Sequence, residues 1–65
     1  GTAVERGRAV RQTGDGRWIV ESIDRYGVNT LPLHAPGDVQ TGDIVVFCEF
    51  ADGEGMIFGA IHAQK

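Results

Sequence analysis

Apolar residues fall along this chain in short clusters, each closed off by glycine, asparagine or aspartate. No stretch of a dozen residues carries the three-to-four-residue stripe of a helix. Strand signals recur instead at short spacing with turn chemistry between them. The first predicted strand covers residues 4–12, and Gly7 inside it marks a bulge or a bend at a barrel corner. Thr13-Gly14-Asp15-Gly16 follows as a hairpin turn, because two glycines take positive φ at little cost. The second strand covers residues 17–24, with Trp18, Ile19, Val20 and Ile23, and Asp24-Arg25-Tyr26-Gly27 is the next turn. A third strand is expected over residues 28–33, at an edge or ending early because of Pro32. Residues 35–42 form the longest connection, too short and too broken for a helix. The fourth strand, residues 43–50, is β-branched and aromatic almost throughout, Ala51-Asp52-Gly53-Glu54-Gly55 is a hairpin loop, and residues 56–61 make the fifth strand. The end of the chain is expected to fray. Five short strands in one 65-residue domain predict an all-β fold, a small five-stranded antiparallel barrel. An OB-like and an SH3-like barrel both fit.

The phase of the last two strands decides which surface is offered to solvent. A barrel strand alternates between inside and outside. In the fourth, Ile44, Val46, Cys48 and Phe50 form a wholly apolar face, while Asp43, Val45, Phe47 and Glu49 are polar at both ends. The first set is therefore assigned inward and the second outward. In the fifth, Ile57, Gly59 and Ile61 are assigned inward, and Met56, Phe58 and Ala60 outward. Val45, Phe47, Met56 and Phe58 then make an exposed apolar patch, each side chain worth roughly 1.5–3 kcal/mol if buried. Such a patch points to a partner surface, a second copy included. Two alternatives stay open: residues 2–6 fold across the patch, or the phase is off by one residue, which exchanges the faces.

Composition narrows the ways so small a core can be stabilised. Cys48 is the single cysteine, so no intrachain disulfide exists, and within Phe47-Cys48-Glu49 it reads as a small buried hydrophobe. His34 and His62 are isolated and read as rim residues, so no metal-ligand spacing is present and no metal is expected. Oligomerisation is the stabiliser left. The net charge of −3 is unevenly spread. Arg6, Arg8, Arg11, Arg17 and Arg25 give residues 1–25 a net +1, and residues 26–65 carry −4. That asymmetry favours docking between subunits or on a protein partner. No apolar run approaches a membrane span or a secretory core, and no membrane association is expected. Gly1, where a Met would start a chain, reads as a tag remnant.

Candidate chemistry is sparse, and neither an enzyme nor a cofactor is expected. Ser22 is the only serine and has no glycine elbow around it. Asp52 and Glu54 sit in a glycine-rich loop, and Asp15 and Asp38 stand beside glycines, so all four read as turn residues. Gly14-Asp15-Gly16 and Gly53-Glu54-Gly55 are no phosphate loops, because no helix or lysine follows. The rival to protein binding is a single-strand nucleic-acid platform built from Arg11, Arg17, Trp18, Arg25 and Tyr26 around the first hairpin. Against it, the alternating aromatics of cold-shock or RNP-type strands are missing, and Phe47, Phe50 and Phe58 lie among acidic residues.

Gly42-Asp43-Ile44-Val45-Val46-Phe47, Phe50-Ala51-Asp52-Gly53 and Met56-Ile57-Phe58-Gly59-Ala60-Ile61, preceded by Leu31-Pro32-Leu33, Pro36-Gly37 and an opening Gly7-Arg8-Ala9-Val10, form a recognisable series. It resembles the OB-fold domain of contractile-tail spike and baseplate proteins of tailed phages and of the related type VI secretion spikes. The motifs are short and degenerate but span most of the chain. The resemblance implies a structural protein without enzymatic activity, made in the cytoplasm and incorporated in a phage or prophage tail. It also implies barrels that pack on hub proteins and trimerise. The β-helical needle of a full spike and the lysozyme domain of some spikes are missing from these 65 residues, and Phe47-Cys48-Glu49-Phe50 runs one residue longer than the usual strand.

Overall fold

The computed structural model describes residues 3–62, through which run β1 (Glu5–Gln12), β2 (Trp18–Ser22), β3 (Ile44–Glu49) and β4 (Gly55–Ile61). Gly1 and residues 63–65, part of the expected frayed end, lie outside the described residues. All pairings are antiparallel and the sheet order is β2-β1-β3-β4. Two hairpins, β1–β2 and β3–β4, are thus joined through β1 and β3. The described residues contain no helix, as the broken apolar pattern predicts. The expected turns form at 13–16, 24–27 and 51–53, with Gly16, Gly27 and Gly53 at positive φ.

The sheet does not close as a barrel, and the expected third strand is not a regular one. Residues 28–34 act instead as a strap. Glu21 and Asn29 form one isolated antiparallel bridge and Trp18 and Leu33 another, while His34 makes a parallel bridge to Met56. The strap is well bonded to β2: Ser22 N–H donates to Val28 C=O (2.8 Å), Thr30 N–H to Val20 C=O (2.8 Å), and Trp18 and Leu33 exchange bonds of 2.9 and 2.8 Å. The Thr30 hydroxyl also accepts from Val20 N–H at 3.1 Å. The bonds follow one register at Trp18 and Leu33 and another, shifted by one residue, from Val20 to Ser22, so the pairing is made of separate bridges.

Ala9, Trp18, Val20, Leu33, Val39, Val45, Phe47 and Ile57 form the core. This overturns the expected phase of the fourth strand. Val45 and Phe47 are 0% exposed, whereas Val46 and Phe50 face solvent and Ile44 is half-buried; of the four residues assigned inward only Cys48 is buried. The polar residues taken as outward markers are the cause. Asp43 is buried and hydrogen-bonded, and Glu49 is half-buried against Arg25. β4 changes phase partway, because its register against β3 slips between Gly59 and Ile57 and leaves Phe58 as an extra residue. Met56 and Phe58 face out and Ile57 faces in, as expected, but Ile61 is exposed and Ala60 packs on the core.

The bulge in β1 falls between Ala9 and Arg11, not at Gly7. Gly7 is required for another reason. A Cβ there would strike Val20 Cγ1 and come within 2.8 Å of the Glu21 carbonyl oxygen, so only glycine lets β1 lie this close to β2. Residues 5 and 6 pair with Phe47 and Val46 inside the sheet and do not fold across an outer face.

Candidate functional site

The backbone of the strap bonds to β4 through a single residue. His34 N–H donates to Gly55 C=O (3.1 Å), and Ile57 N–H donates to His34 C=O (2.7 Å). Two residues on, Pro36 has no N–H to continue, and the chain turns away at Gly37 and Asp38. The departure leaves an open groove of about 330 Å³, lined by His34, Ala35, Pro36, Met56, Ile57 and Phe58. Ile57, which also belongs to the core, is buried, while Phe58, 54% exposed, and Met56 reach solvent.

One rim of the groove is charged. His34 Nε2 lies 3.3 Å from Glu54 Oε1, and Arg17 Nη1 lies 3.8 Å from the same oxygen. Arg17 Nε also reaches Asp15 Oδ2 at 3.2 Å. The Thr13 hydroxyl, which donates to Asp15, holds that carboxyl below its usual range, helped by Arg17 N–H. A row of alternating charge thus ties the first hairpin to the loop before β4. Each pair is largely solvent-exposed and screened, so the row contributes little to stability.

The sequence-predicted residues are dispersed. Of the proposed apolar patch, Met56 and Phe58 line the groove, but Val45 and Phe47 belong to the core and offer no surface. The proposed nucleic-acid platform does not assemble. Trp18 is 5% exposed and packed in the core, so it presents no face for stacking. Arg25 lies between Glu5 (2.7 Å) and Glu49, and these bonds, Glu5 first, raise its basicity. Arg17 is engaged at the groove rim and Arg11 is exposed on β1. Tyr26 is 98% exposed at the tip of its turn, in the left-handed region at φ 56°.

Hydrogen bonding elsewhere is structural. Ser22 Oγ donates to Glu5 Oε1 (3.4 Å) and accepts from Arg25 N–H (3.0 Å), which fixes the turn after β2. Asp43 Oδ2 accepts from Gln40 N–H (2.8 Å) and lies 2.8 Å from His62 Nδ1, tying the start of β3 to the end of β4. Among the described residues no three His, Cys, Asp or Glu side chains gather at metal-binding distance. Cys48 is buried. What the arrangement offers is a largely apolar place beside β4.

Two features were missed from sequence. The groove walls His34, Ala35 and Pro36 were signalled by two prolines four residues apart, which allow a strap to touch an edge and then leave it. The Asp43–His62 contact was signalled only by an aspartate opening an apolar strand. No protein-family model, curated protein or solved structure matches the chain.

Proposed function

We propose that this domain is a non-catalytic structural or adaptor module that works by holding a protein partner at the groove beside β4. The observation that carries this reading is the pair Met56 and Phe58, left exposed while lining a groove that Pro36 also lines. Clustered apolar side chains around a concave surface are the ordinary mark of a recognition site. An extended segment laid along β4 would place alternate side chains toward the groove. The sequence resemblance to tail spike and baseplate domains agrees with this reading. It narrows the role to an OB-like building block of a phage or prophage tail, with hub proteins or further copies as partners. Nucleic-acid binding is disfavoured by the burial of Trp18 and the pairing of Arg25 with two carboxylates.

The test is a peptide selection followed by anisotropy. Peptides selected from a random library against the native domain are expected to be apolar and to lose about tenfold or more in affinity to Phe58→Asp, with circular dichroism unchanged. A labelled single-stranded oligonucleotide is expected not to bind at low salt. Salt-sensitive oligonucleotide binding, or selected peptides indifferent to Phe58→Asp, would overturn the proposal.

A further inference from the structure

The groove is one part of an edge that continues past it. β4 is the outermost strand of the sheet, and the backbone of His34 bonds to it at Gly55 and Ile57. From Phe58 onward, no hydrogen bond links the outer side of β4 to another segment among the described residues. Natural sheets guard such edges with charge, proline or a covering segment. Here Gly55-Met56-Ile57-Phe58-Gly59-Ala60-Ile61 has no charged residue and no proline. Its one guard, the bulge at Phe58, lies at the start of the open run.

We infer that this open edge pairs with the same edge of a second copy, antiparallel about a twofold axis through Ala60. The inference rests on the reading that the domain works through protein contacts, and it names a second copy as one such partner. The side chains choose the register. Gly59 and Ile61 lie on one face of the sheet, opposite Val46 and Ile44. Ile61 is 70% exposed, and a Cβ built on Gly59 meets nothing within 4 Å. A twofold at Ala60 sets Gly59 of each copy across from Ile61 of the other. Each exposed isoleucine then fills the bare place over a glycine and covers the half-exposed Val46 beside it, large against small. A shift by one residue in either direction loses this match. Charge agrees: each copy carries −3, and two like-charged copies meet most cheaply along a strand without charge. The paired run, residues 58–62, is short, so the dimer forms by mass action at high concentration.

Sedimentation across a concentration series tests the pairing. The native chain is expected to dimerise reversibly, Ile61→Lys to weaken the dimer about tenfold or more, and Ile61→Val to keep it. Amide exchange at residues 58–61 is expected to slow as concentration rises. Ile61 is exposed, so the lysine variant folds, and thermal unfolding checks this. A native chain that stays monomeric overturns the inference, as does a dimer whose β4 exchange does not change with concentration. The selected groove peptides separate the two readings. If they bind a chain that never dimerises, self-pairing falls and the protein-binding reading stands; if neither occurs, both fall.

Discussion

Beside β2, the chain lays residues 28–33 along the sheet and satisfies the edge with five backbone hydrogen bonds or side-chain substitutes for them, from Ser22 to Trp18. Beside β4, the same strap contributes His34 and then leaves at Pro36, so among the described residues no backbone bond covers the edge beyond Ile57. One short segment thus serves both sides of the sheet and finishes only one. The finished side buries Leu33 and Thr30 and contributes to stability; the unfinished side keeps Met56, Phe58 and Ile61 in solvent. The difference lies at Pro36, which ends the pairing with β4, rather than in hydrophobicity, since both sides are rich in apolar residues.

The contrast can be broken most directly at Leu33, which is fully buried where the strap crosses from one edge to the other. Leu33→Ala is expected to cost about 3 kcal/mol and to lower the melting temperature by about 12 °C or more, as read by denaturant and thermal unfolding. A loss below about 1 kcal/mol would mean that the strap is not part of the core. Thr30→Val sharpens the point by removing one bond and keeping the volume. Val20 N–H loses the hydroxyl oxygen at 3.1 Å, with an expected cost of about 1–2 kcal/mol in chemical denaturation. An unchanged midpoint would show that the backbone bonds of the strap suffice alone.

The smallest effect is expected at the corner where β2 passes into the strap. Asp24 accepts from Arg6 N–H at 2.9 Å and from its guanidinium at 3.0 Å, and these bonds, the backbone one first, hold its carboxyl below the ordinary 3.8. A carboxylate whose folded value is depressed adds stability above its unfolded value. That part is therefore complete at neutral pH and is lost as pH falls below 3.8 through the folded value. Asp24→Asn should flatten the acid limb of the stability curve there. A limb as steep as that of the native chain would locate the acid sensitivity in other carboxylates.

Much of this fold was legible in the chain. The Thr13–Gly16 turn, the Val-rich β3 and the glycine hairpin before β4 are encoded locally and lie where turn chemistry and β-branching put them. Phase was legible only where an apolar and a polar residue alternate. In Asp43–Glu49 the two polar ends mark the inner face, because Gln40 and His62 satisfy Asp43 and Arg25 engages Glu49. Gln40 is local, but His62 and Arg25 come from distant parts of the chain, so no local rule exposes them. Ile61 was misassigned for a related reason: the extra residue at Phe58 appears only when β4 is set against β3. The site divided in the same way. Met56 and Phe58 were found from β4 alone, whereas Trp18 looked available beside Arg17 because its partner, Leu33, is supplied by the strap.

The strand order carries a consequence for how quickly the domain assembles. Each hairpin closes over a short turn and can form on its own within microseconds. The seam between them pairs Glu5 with Phe47 and Arg8 with Ile44, residues roughly forty positions apart. Closing so long a loop is the slow event, and until it happens the strap has no second hairpin to reach. Folding should therefore proceed as two quick local steps and one slower docking of β1 on β3, with its rate set by contacts at that seam and scarcely by those at either edge.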